Sequence, residues 1–179
     1  MSSTDETKLD EGVVEELHTR AGEHLEGSHD GRGLRIAIAC SRFNGGVTTR
    51  LLAGALEALA EAGVDRSDIC IGWVPGAFEL PLLALAYADG NHPYDAVLTL
   101  GAVIRGDTSH YEIVSGECAR GVQDVQLSTR VPVAFGVLTT ENVDQALERS
   151  LPDETNKGRE AALTALEMVS ILRQGSLAN

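Results

Sequence analysis

The chain has 179 residues, 43% of them hydrophobic, and a formal net charge of −13. That length fits one domain with a sizeable core, and the composition is ordinary for a globular fold. The charge excludes nucleic acid and anionic membranes as main partners, because their phosphates would be repelled, and no apolar run approaches the ~18 residues that span a bilayer.

Residues 1–33 read as a flexible acidic extension. Residues 1–32 hold nine acids against three bases, so six of the thirteen excess negative charges lie there. The start, "MSSTDETKLDEG", has no apolar core and does not resemble a secretory signal. "VVEELHTRAGEHL" has weak helical periodicity, open to either a short helix or disorder, and "GSHDGRG" reads as a glycine-rich hinge. Cys40, Cys70 and Cys118 are too few and too scattered for a disulfide framework. No CxxC pair suggests zinc, so the default expectation is a reduced, cytoplasmic setting.

From Leu34 to about residue 174, strand and helix patterns alternate. "LRIAIAC" is a short apolar run, and "TTRLLAGALEALAEAG" has helical spacing that ends on Gly63, a natural C′ residue. "DICIGWV" is a second strand, followed by "PGAFELP" and an Ala/Leu helix to about Asp89. "YDAVLTLGAVI" is the third strand, and a helix is expected from about Tyr111 to Leu127. "VPVAFGVLT" is the fourth strand, with a helix over about Glu141–Arg149. "NKGREAALTALEMVSILRQ" closes the domain, and 175–179 form a tail.

Strands that are apolar along their length and alternate with helices predict a parallel sheet covered on both faces. The expected fold is a three-layer α/β/α sandwich of about four strands, flavodoxin-like, with right-handed crossovers. In such sheets ligands bind beyond the carboxyl ends of the strands. Here those ends are "SRFNGG", "PGAFELP", "RGDTSH" and "FGVLTTEN", which are expected to converge.

These segments contain or adjoin all three Phe of the chain: Phe43, Phe78 and Phe135. Aromatic faces suit a flat heteroaromatic ligand; core packing is the alternative, above all for Phe78. Glu79 at a helix start complements the helix dipole or binds ligand hydroxyls. Thr108 and Ser109 either cap the following helix or cradle an anion. His110 is the only His at a strand's carboxyl end, and it suits either proton transfer or a structural role. No Cys/His/Asp cluster has metal spacing, and no GxSxG elbow supports a triad. Arg149 and Lys157 are either solvated helix-terminal charges or a pair that closes on phosphate.

The order of the motifs "SRFN", "PGAFELP", "GAVIRGDTSHYEIV", "FGVLTTEN", "QALER" and "NKGREAA" resembles the lumazine synthase family over about Leu34–Arg173. The resemblance implies condensation of 5-amino-6-(D-ribitylamino)uracil with 3,4-dihydroxy-2-butanone 4-phosphate, in riboflavin biosynthesis. It implies no metal and no organic cofactor. It places Phe43 on the pyrimidine ring and Ala77, Phe78 and Glu79 around the ribityl and ring site. Ala102, Val103 and Ile104 present backbone and apolar edges to the ring. Asp107, Thr108 and Arg149 flank the phosphate, Phe135 adds an apolar wall, Lys157 adds positive charge, and His110 transfers protons. It also implies homo-oligomers, pentamers or assemblies of pentamers, with the pocket shared between neighbours and Phe135 and Lys157 expected to cross. The turn "SLPDETNKG" lacks the glycines that shell-forming members often carry. The alternative reading is a non-catalytic flavin- or lumazine-binding or shell-forming relative.

Overall fold

The computed structural model describes residues 9–91 and 93–174. Residues 1–8 of the extension, His92 and the tail 175–179 lie outside the described residues.

Four strands, β1 (Ile36–Ser41), β2 (Ile69–Val74), β3 (Ala96–Ile104) and β4 (Val133–Thr140), form one sheet in the order β2-β1-β3-β4. Every neighbouring pair is parallel. Among the described residues six α-helices accompany them: α1 (Glu11–His18), α2 (Gly45–Glu61), α3 (Leu80–Ala88), α4 (His110–Thr129), α5 (Val143–Glu148) and α6 (Lys157–Leu172). The predicted three-layer, flavodoxin-like α/β/α sandwich is the observed fold.

The two-residue period of the strands sorts the core. Ile36, Ile38 and Cys40 of β1 join Leu98 and Leu100 of β3 in the core beneath α2 and α6. Ala37 and Ala39 point the other way, with Val97, into the core beneath α3 and α4. Small β1 residues on that face leave room for α3 to settle close with Leu80, Ala84 and Ala88. Leu51, Leu59, Leu100 and Leu166 are fully buried, each stabilising the fold by about 1.5–3 kcal/mol.

Helices α2 and α6 meet through glycine. A Cβ on Gly158 would lie 1.9 Å from the Leu51 carbonyl oxygen, and one on Gly54 would lie 2.4 Å from Asn156 Oδ1. Asn156 is buried and caps α6: its Oδ1 accepts from the N–H groups of Gly158 (2.9 Å) and Arg159 (3.2 Å). Its Nδ2 donates to the carbonyl oxygens of Leu151 (2.8 Å) and Arg50 (3.3 Å). "NKG" is therefore a cap and a helix contact in one.

Helix α1 buries none of its residues. Two of the three glycines read as a hinge, Gly27 and Gly31, serve close approach instead. Ser28 N–H donates to Ser170 Oγ at 3.0 Å, Gln174 Nε2 to the Glu26 carbonyl at 2.6 Å, and Gly31 N–H to the Ala62 carbonyl at 2.8 Å. A Cβ on Gly27 would lie 2.4 Å from Glu167 Cγ, and one on Gly31 the same distance from Val64 Cγ2. Among the described residues, no helix is long and apolar enough to cross a membrane.

Candidate active site

Three loops meet beyond the carboxyl ends of β1, β2 and β3. After β1, the N–H of Arg42 donates to the Val74 carbonyl at 2.9 Å and that of Phe43 to the Pro75 carbonyl at 3.0 Å. The β1 and β2 loops are thus zipped together, leaving the Phe43 ring 72% exposed. Asn44 adopts the left-handed conformation, φ 56°, which Asn tolerates better than most residues. Its Nδ2 reaches across to the Ala102 carbonyl at 2.9 Å. This reversal starts α2 at Gly45, three residues before the Thr48 expected from periodicity.

After β2, Ala77–Glu79 form a single 3₁₀ turn that leads into α3. Glu79 Oε2 accepts from the Gly76 N–H at 2.9 Å, which fixes the carboxylate at the turn. Ala77 is buried, while Phe78 is 54% exposed. The core alternative for Phe78 is therefore overturned: Leu80, two residues on, takes the buried direction and Phe78 is turned outward.

After β3, Gly106–Ser109 lead into α4, which starts at His110. The Ser109 side chain makes no capping hydrogen bond. The Thr108 hydroxyl lies 3.4 Å from the His110 N–H, a long contact. The capping alternative is only weakly realised: Ser109 caps nothing, and Thr108 offers the first turn of α4 one long contact.

These loops enclose a cleft of about 660 Å³. Phe43, Ala77, Phe78, Glu79, Ala102, Val103, Ile104, Thr108 and His110, all predicted site residues, line it. Asn44, Tyr111 and Ile113 line it too and were not anticipated. An Asn ahead of Gly45-Gly46 and an aromatic following His110 are the local signals that mark the first two.

The fourth segment divides: its end stays beside the others, where the Thr140 carbonyl accepts from the Arg105 N–H at 2.9 Å, but its Phe135 end does not converge with them. Phe135, Arg149 and Lys157 line a separate cleft of about 420 Å³ between β4 and α6. The reason is register: Phe135 pairs with Thr99, well before β3 ends at Ile104, so it sits low on the sheet. Arg149, expected beside Thr108, accompanies Phe135 and Lys157 instead. Asp107 is exposed and lines neither cleft.

Two of the cations around the clefts, Arg105 and Lys157, are closely paired. Arg105, at the start of the His110 turn, donates Nε to Glu141 Oε2 at 2.6 Å and ion-pairs with Glu112. Its guanidinium lies 4.1 Å from the Tyr111 ring centroid. The Arg105 guanidinium chiefly, and after it the backbone N–H of Glu112 itself, hold the Glu112 carboxyl below the usual carboxylate range. Lys157 Nζ bonds both Glu160 oxygens, at 2.5 and 2.7 Å. Among the described residues no group of three or more His, Cys, Asp or Glu is arranged to hold a metal ion.

An open cleft with two exposed aromatic rings, an anchored carboxylate, hydroxyl and amide donors and an imidazole can bind a flat polar ring and an anion side by side. The family model described as 6,7-dimethyl-8-ribityllumazine synthase matches residues 33–173, which include all four strands, helices α2–α6 and both clefts. On that match, which spans well over half of its length, the chain belongs to the 6,7-dimethyl-8-ribityllumazine synthase family.

Proposed function

We propose that the chain catalyses condensation of 5-amino-6-(D-ribitylamino)uracil with 3,4-dihydroxy-2-butanone 4-phosphate to give 6,7-dimethyl-8-ribityllumazine, phosphate and water. The observation that carries the proposal is the single cleft in which Phe43, Phe78, Glu79, Thr108 and His110 face common space. Phe43 stacks on the pyrimidine, Glu79 receives ribityl hydroxyls, and the backbone of Ala102–Ile104 addresses the ring edge. Thr108 and the first amides of α4 take the phosphate.

The amine attacks the ketone carbon, water leaves and an imine forms. A proton then leaves the adjacent carbon as phosphate departs, and the ribityl-bearing amine closes the ring on the remaining carbonyl carbon with loss of a second water. His110 takes and returns that proton, the general acid–base role an imidazole fills. Holding two reactants in line supplies much of the remaining acceleration.

The working site is shared between copies of the chain. The separation of Phe135, Arg149 and Lys157 from the His110 cleft supports this, because a neighbour's second cleft brings the missing cations to the phosphate. Exposed Leu82 and Leu85 on α3 and Ile113 and Leu127 on α4 supply apolar surface for such a contact. A homopentamer, or an assembly of pentamers, in the cytoplasm is the proposed form.

Mixing both substrates with the purified protein and following lumazine absorbance tests the proposal. Substrate-dependent product formation supports it. Binding of lumazine without turnover would overturn it in favour of a non-catalytic ligand-binding role.

A further inference from the structure

The turn Gly106–Ser109 carries Thr108 toward the cleft and delivers His110, yet it has few ties of its own. Among the described residues its side chains make no hydrogen bond to another element; Thr108 reaches only the adjoining His110 N–H, at 3.4 Å. Its position is therefore set by its two ends. Arg105 holds both. Its N–H donates to the Thr140 carbonyl at 2.9 Å, fixing the upstream end to β4. Its guanidinium pairs with Glu112 in the first turn of α4, lies over the Tyr111 ring at 4.1 Å, and bonds Glu141 at 2.6 Å just past β4. One side chain thus joins the end of β3, the start of α4 and the end of β4. The planar fork of Arg can engage two carboxylates and stack on an aromatic face together; an ammonium cannot.

We infer that Arg105, which does not line the cleft, is a positioning residue that holds the Thr108–His110 turn in register with the Phe43 face. The inference rests on the proposed condensation. Its ion pairs are partly exposed, and such pairs add little to global stability. Their value lies in placement, since a misplacement of about 1 Å can cost on the order of a hundredfold in rate. Arg120 offers the contrast. It pairs with Glu117 and Asp124 inside α4 only, and so restrains nothing beyond its own helix.

The test compares wild type with Arg105→Met, Arg105→Lys and Arg120→Met. Kinetics are measured with each substrate varied, alongside pyrimidine binding, thermal midpoint and amide hydrogen exchange across 106–113. For Arg105→Met, kcat is expected to fall about tenfold to a hundredfold while pyrimidine affinity and thermal midpoint stay near wild type. Exchange in the turn is expected to accelerate by about tenfold or more, as local opening becomes easier. Arg105→Lys is expected to restore part of both, and Arg120→Met to match wild type. Wild-type turnover and exchange in Arg105→Met would overturn the inference. So would a matched loss of turnover, pyrimidine affinity and thermal midpoint, which marks a merely structural role. A wild-type protein with no turnover would defeat the proposed condensation, and the exchange comparison would still decide whether Arg105 orders the turn.

Discussion

Lys157 donates its backbone N–H to the Arg149 carbonyl oxygen at 3.0 Å, clipping shut the loop between α5 and α6 and setting two cations on one rim. Their side chains are not equally available. Lys157 Nζ bonds both oxygens of Glu160, whereas Arg149 Nη1 donates to the uncharged Gln145 carbonyl at 3.1 Å and lies a loose 3.6 Å from Glu148.

On the proposed condensation, Arg149 should accordingly be the stronger phosphate ligand of the two. Arg149→Ala should remove a charge-assisted hydrogen bond of roughly 1.5–3 kcal/mol, about one to two decades in apparent affinity. Steady-state kinetics should show a raised KM for the butanone phosphate and weaker inhibition by inorganic phosphate, with pyrimidine binding unchanged. Lys157→Ala should have the smaller effect. Wild-type values for both phosphate measures in Arg149→Ala would reduce Arg149 to a helix-terminal charge.

His110→Asn should slow turnover by about a hundredfold or more, the usual contribution of a general acid–base group, while leaving residual activity from positioning. Saturating-substrate turnover measures this. An unaltered rate would remove His110 from the chemistry.

The layered fold was legible in the sequence because its strands are apolar runs bounded by glycine and polar turns. The loops after β1, β2 and β3 were legible for the same reason. Less visible were features that depend on partners distant in sequence. Arg105 has no local signature, because Glu112 and Glu141 find it only after β4 pairs with β3. Phe78 stands between Ala77 and Glu79, and its outward direction is set by the 3₁₀ turn and not by pattern. Gly27 and Gly31 look like linker glycines until Glu167 and Val64 come within reach. Phe135 follows a strand residue count that only register resolves.

The extension should divide functionally near Leu25. Deleting residues 1–25 removes the exposed α1 and should leave the thermal midpoint and activity unchanged. Deleting residues 1–32 also removes the bonds to Ser170, Gln174 and Ala62. At roughly 0.5–1.5 kcal/mol each, their loss should lower the midpoint by roughly 5 °C. Equal midpoints for the two truncations would show that the docked segment contributes nothing.

Two glycines should respond oppositely to alanine. Gly158→Ala forces backbone against backbone at Leu51, and should destabilise by about 3 kcal/mol or more. Gly116, inside α4, has nothing within 4 Å of a built Cβ, and Gly116→Ala should stabilise by about 1 kcal/mol. Denaturant titration of both variants checks the signs.

The stability profile should be a plateau with two edges. Burial pushes the Cys40 thiol up to about 12 and the Cys118 thiol up to about 11, from an ordinary 9.0. A raised folded pKa gives stability that is complete below pH 9 and is lost as pH climbs toward 11 and 12. On the acid side, Arg159 lowers the Glu61 carboxyl and Arg105 lowers that of Glu112, both from 4.5. A lowered folded pKa gives stability present above 4.5 and lost as pH falls beneath it. Thermal midpoints across this range check both edges. At neutral pH an exposed-thiol reagent should react promptly with Cys70, which is half-buried, and only slowly with the other two.

The pairing of α2 with α6 has a consequence during synthesis. Leu51, Ala55, Ala58 and Leu59 of α2 belong to the core that Ala161, Ala162, Ala165 and Leu166 of α6 complete. All of β2, α3, β3, α4, β4 and α5 must be made before α6 emerges. At ribosomal rates of roughly 5–20 residues per second, the apolar flank of α2 waits several seconds for its cover. A nascent chain stalled before Asn156 would present that flank to chaperones or to other stalled chains, and the last helix acts as the closing step that withdraws it.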